Sequence, residues 1–135
     1  MHGSPVVILG GGPHRAAQGR HTPPHRHACW ELVCYRQGRP RYQVGTQAPT
    51  PAGPGVLWLT PPGVTHAEWA DTAFANWFIL IEAPADHPWP QRAVDDADGG
   101  VERLCGEIVR ELRAVGEDRA AMLDLLARED RKSVV

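Results

Sequence analysis

Four of the seven histidines fall between positions 21 and 66, and two of them, His25 and His27, share odd numbering with Glu31. On a β-strand such residues face the same way. Imidazole nitrogens and a carboxylate gathered on one surface are donors for a divalent cation. Yet His27 and Glu31 stand four residues apart, about 13 Å along a straight strand, too far to share one ion. Convergence requires a bend or bulge near residues 28–30 and a further ligand from another strand. His66 is the best candidate for that ligand. It follows Thr60-Pro61-Pro62-Gly63, whose prolines fix the chain path and stop the strand before them. Three neutral nitrogens and one carboxylate suit Zn, Fe, Ni, Cu or Mn, and leave open positions where the ion takes five or six ligands. Spacing leaves the choice of ion open, and no organic cofactor is implied. Taken singly, each histidine reads as polar rim; the two ordered spacings together carry the metal reading.

Such a site needs elements to hold it. The chain has 135 residues, 42% hydrophobic and 22% charged, the profile of one ordinary globular domain, long enough to build a core without metal or disulfides. All thirteen prolines and ten of the fourteen glycines precede Gln91, so the two parts should differ in structure. The first part has short apolar or alternating runs at residues 31–36, 41–44, 56–59 and 76–82, separated by turn clusters at 37–38, 49–55 and 61–63. Many short strands with regular turns predict a β-sandwich or barrel. Gly10-Gly11-Gly12 lacks the helix and lysine of a phosphate loop and reads as a flexible turn.

Beyond Gly99-Gly100 the period changes. Val101, Leu104, Cys105, Ile108, Val109, Leu112 and Val115 form one helical stripe, and Gly116 reads as its stop. A second amphipathic stretch from Asp118 carries Met122, Leu125, Leu126 and Glu129 on one side. The expectation is a two-helix hairpin.

Charge and cysteine usage exclude several classes. The formal net charge is −2, with only six Lys/Arg in the first ninety residues, so no concentrated basic face exists for phosphate contacts. Residues 91–135 hold eight Lys/Arg against eleven Asp/Glu, a solvated face rather than a DNA contact. Cys29, Cys34 and Cys105 are odd in number, and five residues on one strand would point Cys29 and Cys34 to opposite faces, so no disulfide framework is expected. No run reaches transmembrane length and no leader is evident; a cytoplasmic chain with reduced thiols follows.

Two spacings now acquire a meaning. From Gly19 the chain reads G-x5-H-x-H-x3-E-x6-G through His25, His27, Glu31 and Gly38; from Gly55 it reads G-x5-P-x-G-x2-H through Pro61, Gly63 and His66. These resemble the two cupin motifs, with sixteen residues between them. Ala70 stands where the second motif usually ends in Asn. The resemblance covers roughly residues 19–83 and implies a mainly β fold, a double-stranded β-helix barrel, in which His25, His27, Glu31 and His66 are the metal set. The wording His25-Arg26-His27-Ala28-Cys29-Trp30-Glu31-Leu32-Val33-Cys34-Tyr35 and Pro61-Pro62-Gly63-Val64-Thr65-His66 further resembles the N-terminal sensor domains of AraC-type transcription regulators.

That resemblance implies an arm at residues 1–18 closing over the pocket, a cupin barrel at 19–90 and a helical dimerisation hairpin at 91–130. It implies a small-molecule effector inside the barrel, a homodimer through the helices, and no catalysis, nucleic-acid binding or membrane contact by this chain. Residues 131–135 hold the only lysine beside thirteen arginines and read as the product of a truncated frame that leaves out the DNA-binding part. Within the barrel, Tyr35 shares the face of Glu31 and Val33, and Trp77 shares one with Ile79 and Ile81; Tyr35 and Trp77 are the expected pocket walls. Glu68 reads as a solvent-facing strand residue. Two rivals stand beside the regulator: a stand-alone cupin metalloenzyme, a dioxygenase or isomerase using the same four ligands, and an isolated sensor module acting on full-length regulators.

Overall fold

The structure, a computed structural model, describes residues 5–133, and describes the side chains of the last helix only as far as Ala127. Nine strands precede one helix: β1 (Val7–Ala16), β2 (His21–His25), β3 (Trp30–Gln37), β4 (Arg41–Val44), β5 (Thr50–Pro51), β6 (Val56–Thr60), β7 (His66–Trp69), β8 (Phe74–Glu82), β9 (Arg92–Val94) and α1 (Gly100–Ser133). They form two antiparallel sheets, ordered β1-β8-β3-β6-β9 and β2-β7-β4-β5. None of the described helices is long and apolar enough to cross a membrane.

Strand alternation gives the five-stranded sheet two apolar faces, and each buries against something different. Facing the smaller sheet, Val33, Tyr35, Trp58 and Phe74 pack with Tyr42 and Val44. Facing outward, Trp30, Cys34, Leu57, Ile79 and Ile81 pack with Cys105 and Val109 of α1. The helix therefore covers the back of the sheet that carries Glu31 on its front.

Two expectations about punctuation are corrected. Gly10-Gly11-Gly12 lies within β1, paired to β8 as far as Ala16, and not in a flexible turn. A Cβ on Gly11 would stand 2.4 Å from the Phe78 carbonyl oxygen, so this glycine permits a close approach of two backbones. Most of the segment expected as a mobile arm is thus the edge strand of the larger sheet; residues 1–4 lie outside the described residues. The expected two-helix hairpin is one continuous helix running through Gly116. Good helix formers on both sides outweigh the roughly 1 kcal/mol that an interior glycine costs. The helix includes residues 131–133 of the expected tail; residues 134–135 lie outside the described residues. Asp95 accepts the backbone N–H groups of Val101 and Glu102, and Asp96 accepts that of Gly100, which caps the first turn.

Candidate metal centre

The bend demanded by the His27–Glu31 distance is present, and it is more than a kink. β2 ends at His25 and β3 begins at Trp30, and the two strands belong to different sheets. His25 and Glu31 therefore enter the barrel from facing walls, with His27 on the connection between them. The connection is held in place by Gly63, whose N–H donates to the His27 carbonyl oxygen at 2.8 Å. His66 opens β7 directly beside His25, its register partner. The proline-rich turn thus does two jobs: it ends β6 and anchors the loop that carries His27.

The outcome is a tight cluster. One ligating atom each from His25, His27, Glu31 and His66 lies within 4.8 Å of the others. His25 and His66 have ring centroids 4.0 Å apart, and His27 stands 5.1 and 5.2 Å from them. Glu31 places one carboxylate oxygen 3.1 Å from His66 Nε2 and the other 3.3 Å from His27 Nε2. Burial alone would raise the Glu31 carboxyl; the imidazoles around it, His66 foremost, outweigh burial and hold it below its ordinary range.

These residues fit a metal ion on grounds of their own. His66 is 3% exposed, and its buried Nε2 faces the Glu31 carboxylate 3.1 Å away, inside the cluster. Its Nδ1 lies 3.4 Å from the Val64 carbonyl and that of His25 lies 3.0 Å from the Pro23 carbonyl. A carbonyl accepts only, so each Nδ1 carries a proton, and with an ion bound each neutral ring would turn its Nε2 lone pair to the cluster, the arrangement common in metal-binding histidines. Metal–ligand bonds of about 2 Å keep donors within about 4 Å of one another, so the four atoms converge with small side-chain movements.

Beneath the cluster lies a cavity of about 330 Å³, lined also by His14, Arg20 and Thr22. Its walls include Val33, Tyr42 and Phe78. Glu68 also lines it and is 8% exposed, which corrects the solvent-facing reading. It stands two residues after His66 on the same strand and so shares its inward face. Burial raises the Glu68 carboxyl, and the charge of Glu31 adds to this; the Tyr35 hydroxyl, which donates to Glu68 Oε2, opposes it.

The two expected pocket walls part company. Tyr35 is on the interior side, fully buried, with its hydroxyl on Glu68. Trp77 is not. It pairs in register with Cys34, on the outer face of the sheet, where its indole would lie 3.3 Å from a Cβ on Gly106 of α1 and Arg36 covers its ring. Trp77, Ile79 and Ile81 do share one face of β8, but the inward set is Asn76 and Phe78. Asn76 and His14 escaped the sequence reading altogether. The signal that finds them is the pairing of Asn76 with both Tyr35 and His14, which becomes visible only once the strand order is known.

No family model and no curated protein matches the chain. Solved structures do. The chain is similar to YhaK from Escherichia coli, with a TM-score of 0.56 and 18% identity over 65% of this chain and 41% of that one. It is similar to a predicted oxalate decarboxylase from Thermotoga maritima, with a TM-score of 0.51 and 15% identity over 56% and 67%. It is also similar to a conserved Streptococcus pyogenes protein of unknown function, with a TM-score of 0.50 and 16% identity over 59% and 76%. The chain spans less than half the length of YhaK. At such identities the likeness establishes architecture alone: two antiparallel sheets followed by one helix, in a cupin-like fold, with a His/Glu cluster that could hold a metal ion.

Proposed function

We propose that the chain is an effector-sensing and dimerisation domain of the AraC type, with a divalent ion held by His25, His27, Glu31 and His66. The single observation that carries this reading is the state of α1. Cys105 and Val109 are buried against the sheet, yet Leu104, Val115, Met122, Leu125 and Leu126 are all more than half exposed. The barrel core closes without them, and a helix that carries an apolar face past its own barrel needs a partner for it. A second copy of the chain is that partner in this reading.

When bound, the ion would act as a Lewis acid toward an anionic oxygen of the effector. The chain's own residues do the rest. The carbonyls of Pro23 and Val64 orient His25 and His66. Glu31 contributes the negative charge, Arg20 lines the cavity, and Val33 and Phe78 exclude water from the walls. Sedimentation at tens of micromolar tests the pairing: a dimeric mass for the wild type and a monomeric mass for Leu104→Glu/Val115→Glu are expected. A monomeric wild type overturns the reading.

The rival, a stand-alone cupin metalloenzyme, is favoured by one observation: a carboxylate outside the four-ligand set, Glu68, faces the same cavity. Turnover of a small acid by metal-loaded protein, lost in His25→Ala, would favour it.

A further inference from the structure

Across the larger sheet, His14, Asn76 and Tyr35 form one row, since Asn76 is the register partner of both others. This row lies below the four-residue cluster, separated from it by the apolar level of Val33 and Phe78, themselves register partners. Asn76 is 3% exposed, lines the cavity, and has no hydrogen-bond partner for its Oδ1 among the described residues. Leaving a buried amide oxygen unpaired is unfavourable, so such an atom is kept for something that visits it. Beside it, from the facing sheet, stands the Glu68 carboxylate, whose only described hydrogen-bond donor is Tyr35. The floor of the cavity therefore presents acceptors in want of donors, whereas its upper end presents the metal cluster.

We infer that Asn76 and Glu68 form a second recognition site, and that the ligand of this barrel is a small carboxylic acid with an O–H or N–H donor at its far end. This rests on the metal-centre reading for the carboxylate end. Orientation follows from charge: a carboxylate pointed at the floor meets Glu68, whereas one pointed at the cluster meets a cation. Length follows from the strand. Glu68 lies two residues beyond His66 on β7, so the donor stands about 6–7 Å from the carboxylate, with an apolar middle against Val33 and Phe78. A cavity of about 330 Å³ is at the small end of the range for small-molecule sites. A para-substituted benzoate has these dimensions.

Calorimetric titration of the zinc-loaded protein with 4-hydroxybenzoate, benzoate and 4-methylbenzoate tests the assignment. The wild type is expected to bind the hydroxy acid at least tenfold tighter than the other two, and Asn76→Leu to lose that preference while keeping its zinc. Asn76→Ala gives the same reading should the leucine variant not fold. Ligand-free Asn76→Leu is also expected to melt a few degrees above the wild type, because the unpaired oxygen is gone. Equal affinities in the wild type, no binding of 4-hydroxybenzoate, or a preference that survives in Asn76→Leu would each overturn the proposal. So would a lowered melting point in Asn76→Leu and Asn76→Ala alike, which would make Asn76 part of the scaffold. His25→Ala/His27→Ala separates the two readings: unchanged zinc content in that variant defeats the metal centre, whereas the preference among the three probes still reports on Asn76.

Discussion

Replacing Tyr35 with Phe removes one hydroxyl and keeps the ring that packs edge-on against Phe74, with centroids 5.5 Å apart. The lost atom is the hydrogen-bond donor to Glu68, and a hydrogen bond to a charged acceptor is worth about 1.5–3 kcal/mol. Glu68 is 8% exposed and faces a cavity that water can enter, which favours the middle of that range, about 2 kcal/mol at neutral pH. The pH dependence has a definite sign. Burial raises the Glu68 carboxyl above its ordinary value and Tyr35 pulls it back; without Tyr35 it rises further. A carboxyl whose folded pKa is raised binds more protons folded than unfolded, so stability falls as pH rises above the ordinary carboxylate range. Tyr35→Phe should therefore be destabilised more at pH 7.5 than at pH 4. Urea unfolding measures it: with a slope of about 2 kcal/mol per molar, the midpoint should drop by about 1 M at pH 7.5 and by clearly less at pH 4. Equal losses at the two pH values, or a larger loss in acid, would refute the reasoning.

Other substitutions test other layers. Gly11→Ala forces a Cβ to within 2.4 Å of the Phe78 carbonyl, and separating β1 from β8 should lower stability by about 2 kcal/mol or more in urea unfolding. Val109→Ala, at a position 2% exposed beneath α1, should lose about 2 kcal/mol at any protein concentration. Leu104→Ala, at 54% exposure, should leave the dilute protein within about 0.5 kcal/mol and weaken self-association seen by sedimentation. Glu31 has the opposite pH sign to Glu68: its lowered carboxyl stabilises the fold above the ordinary carboxylate range and is lost on acidification, so Glu31→Gln should flatten the acid limb of a pH–stability curve.

The ligand cluster was legible because its residues are chemically scarce and their spacing contained a contradiction. The about 13 Å that a straight strand would put between His27 and Glu31 requires a bend, and the structure supplies it by sending β2 and β3 to different sheets. Trp77 was misassigned for a reason intrinsic to strands. Alternation tells which residues share a face but not which face meets the cavity, and β8 is apolar on both sides because α1 covers its back. Glycine misled twice in one way. Gly11 serves a close backbone approach and Gly116 is overridden by its helical neighbours, and local propensity reports on neither circumstance. Glu68 reads as solvent-facing when taken alone, although its two-residue spacing from His66 puts both on one face of β7, the face that lines the cavity.

The central claim is that His25, His27, Glu31 and His66 hold one divalent ion. Elemental analysis of the untagged protein, purified in parallel with His25→Ala/His27→Ala, tests it most directly. About one transition-metal ion per wild-type chain, and its loss from the variant, is the expected result. Equal metal content in the two proteins would contradict the account.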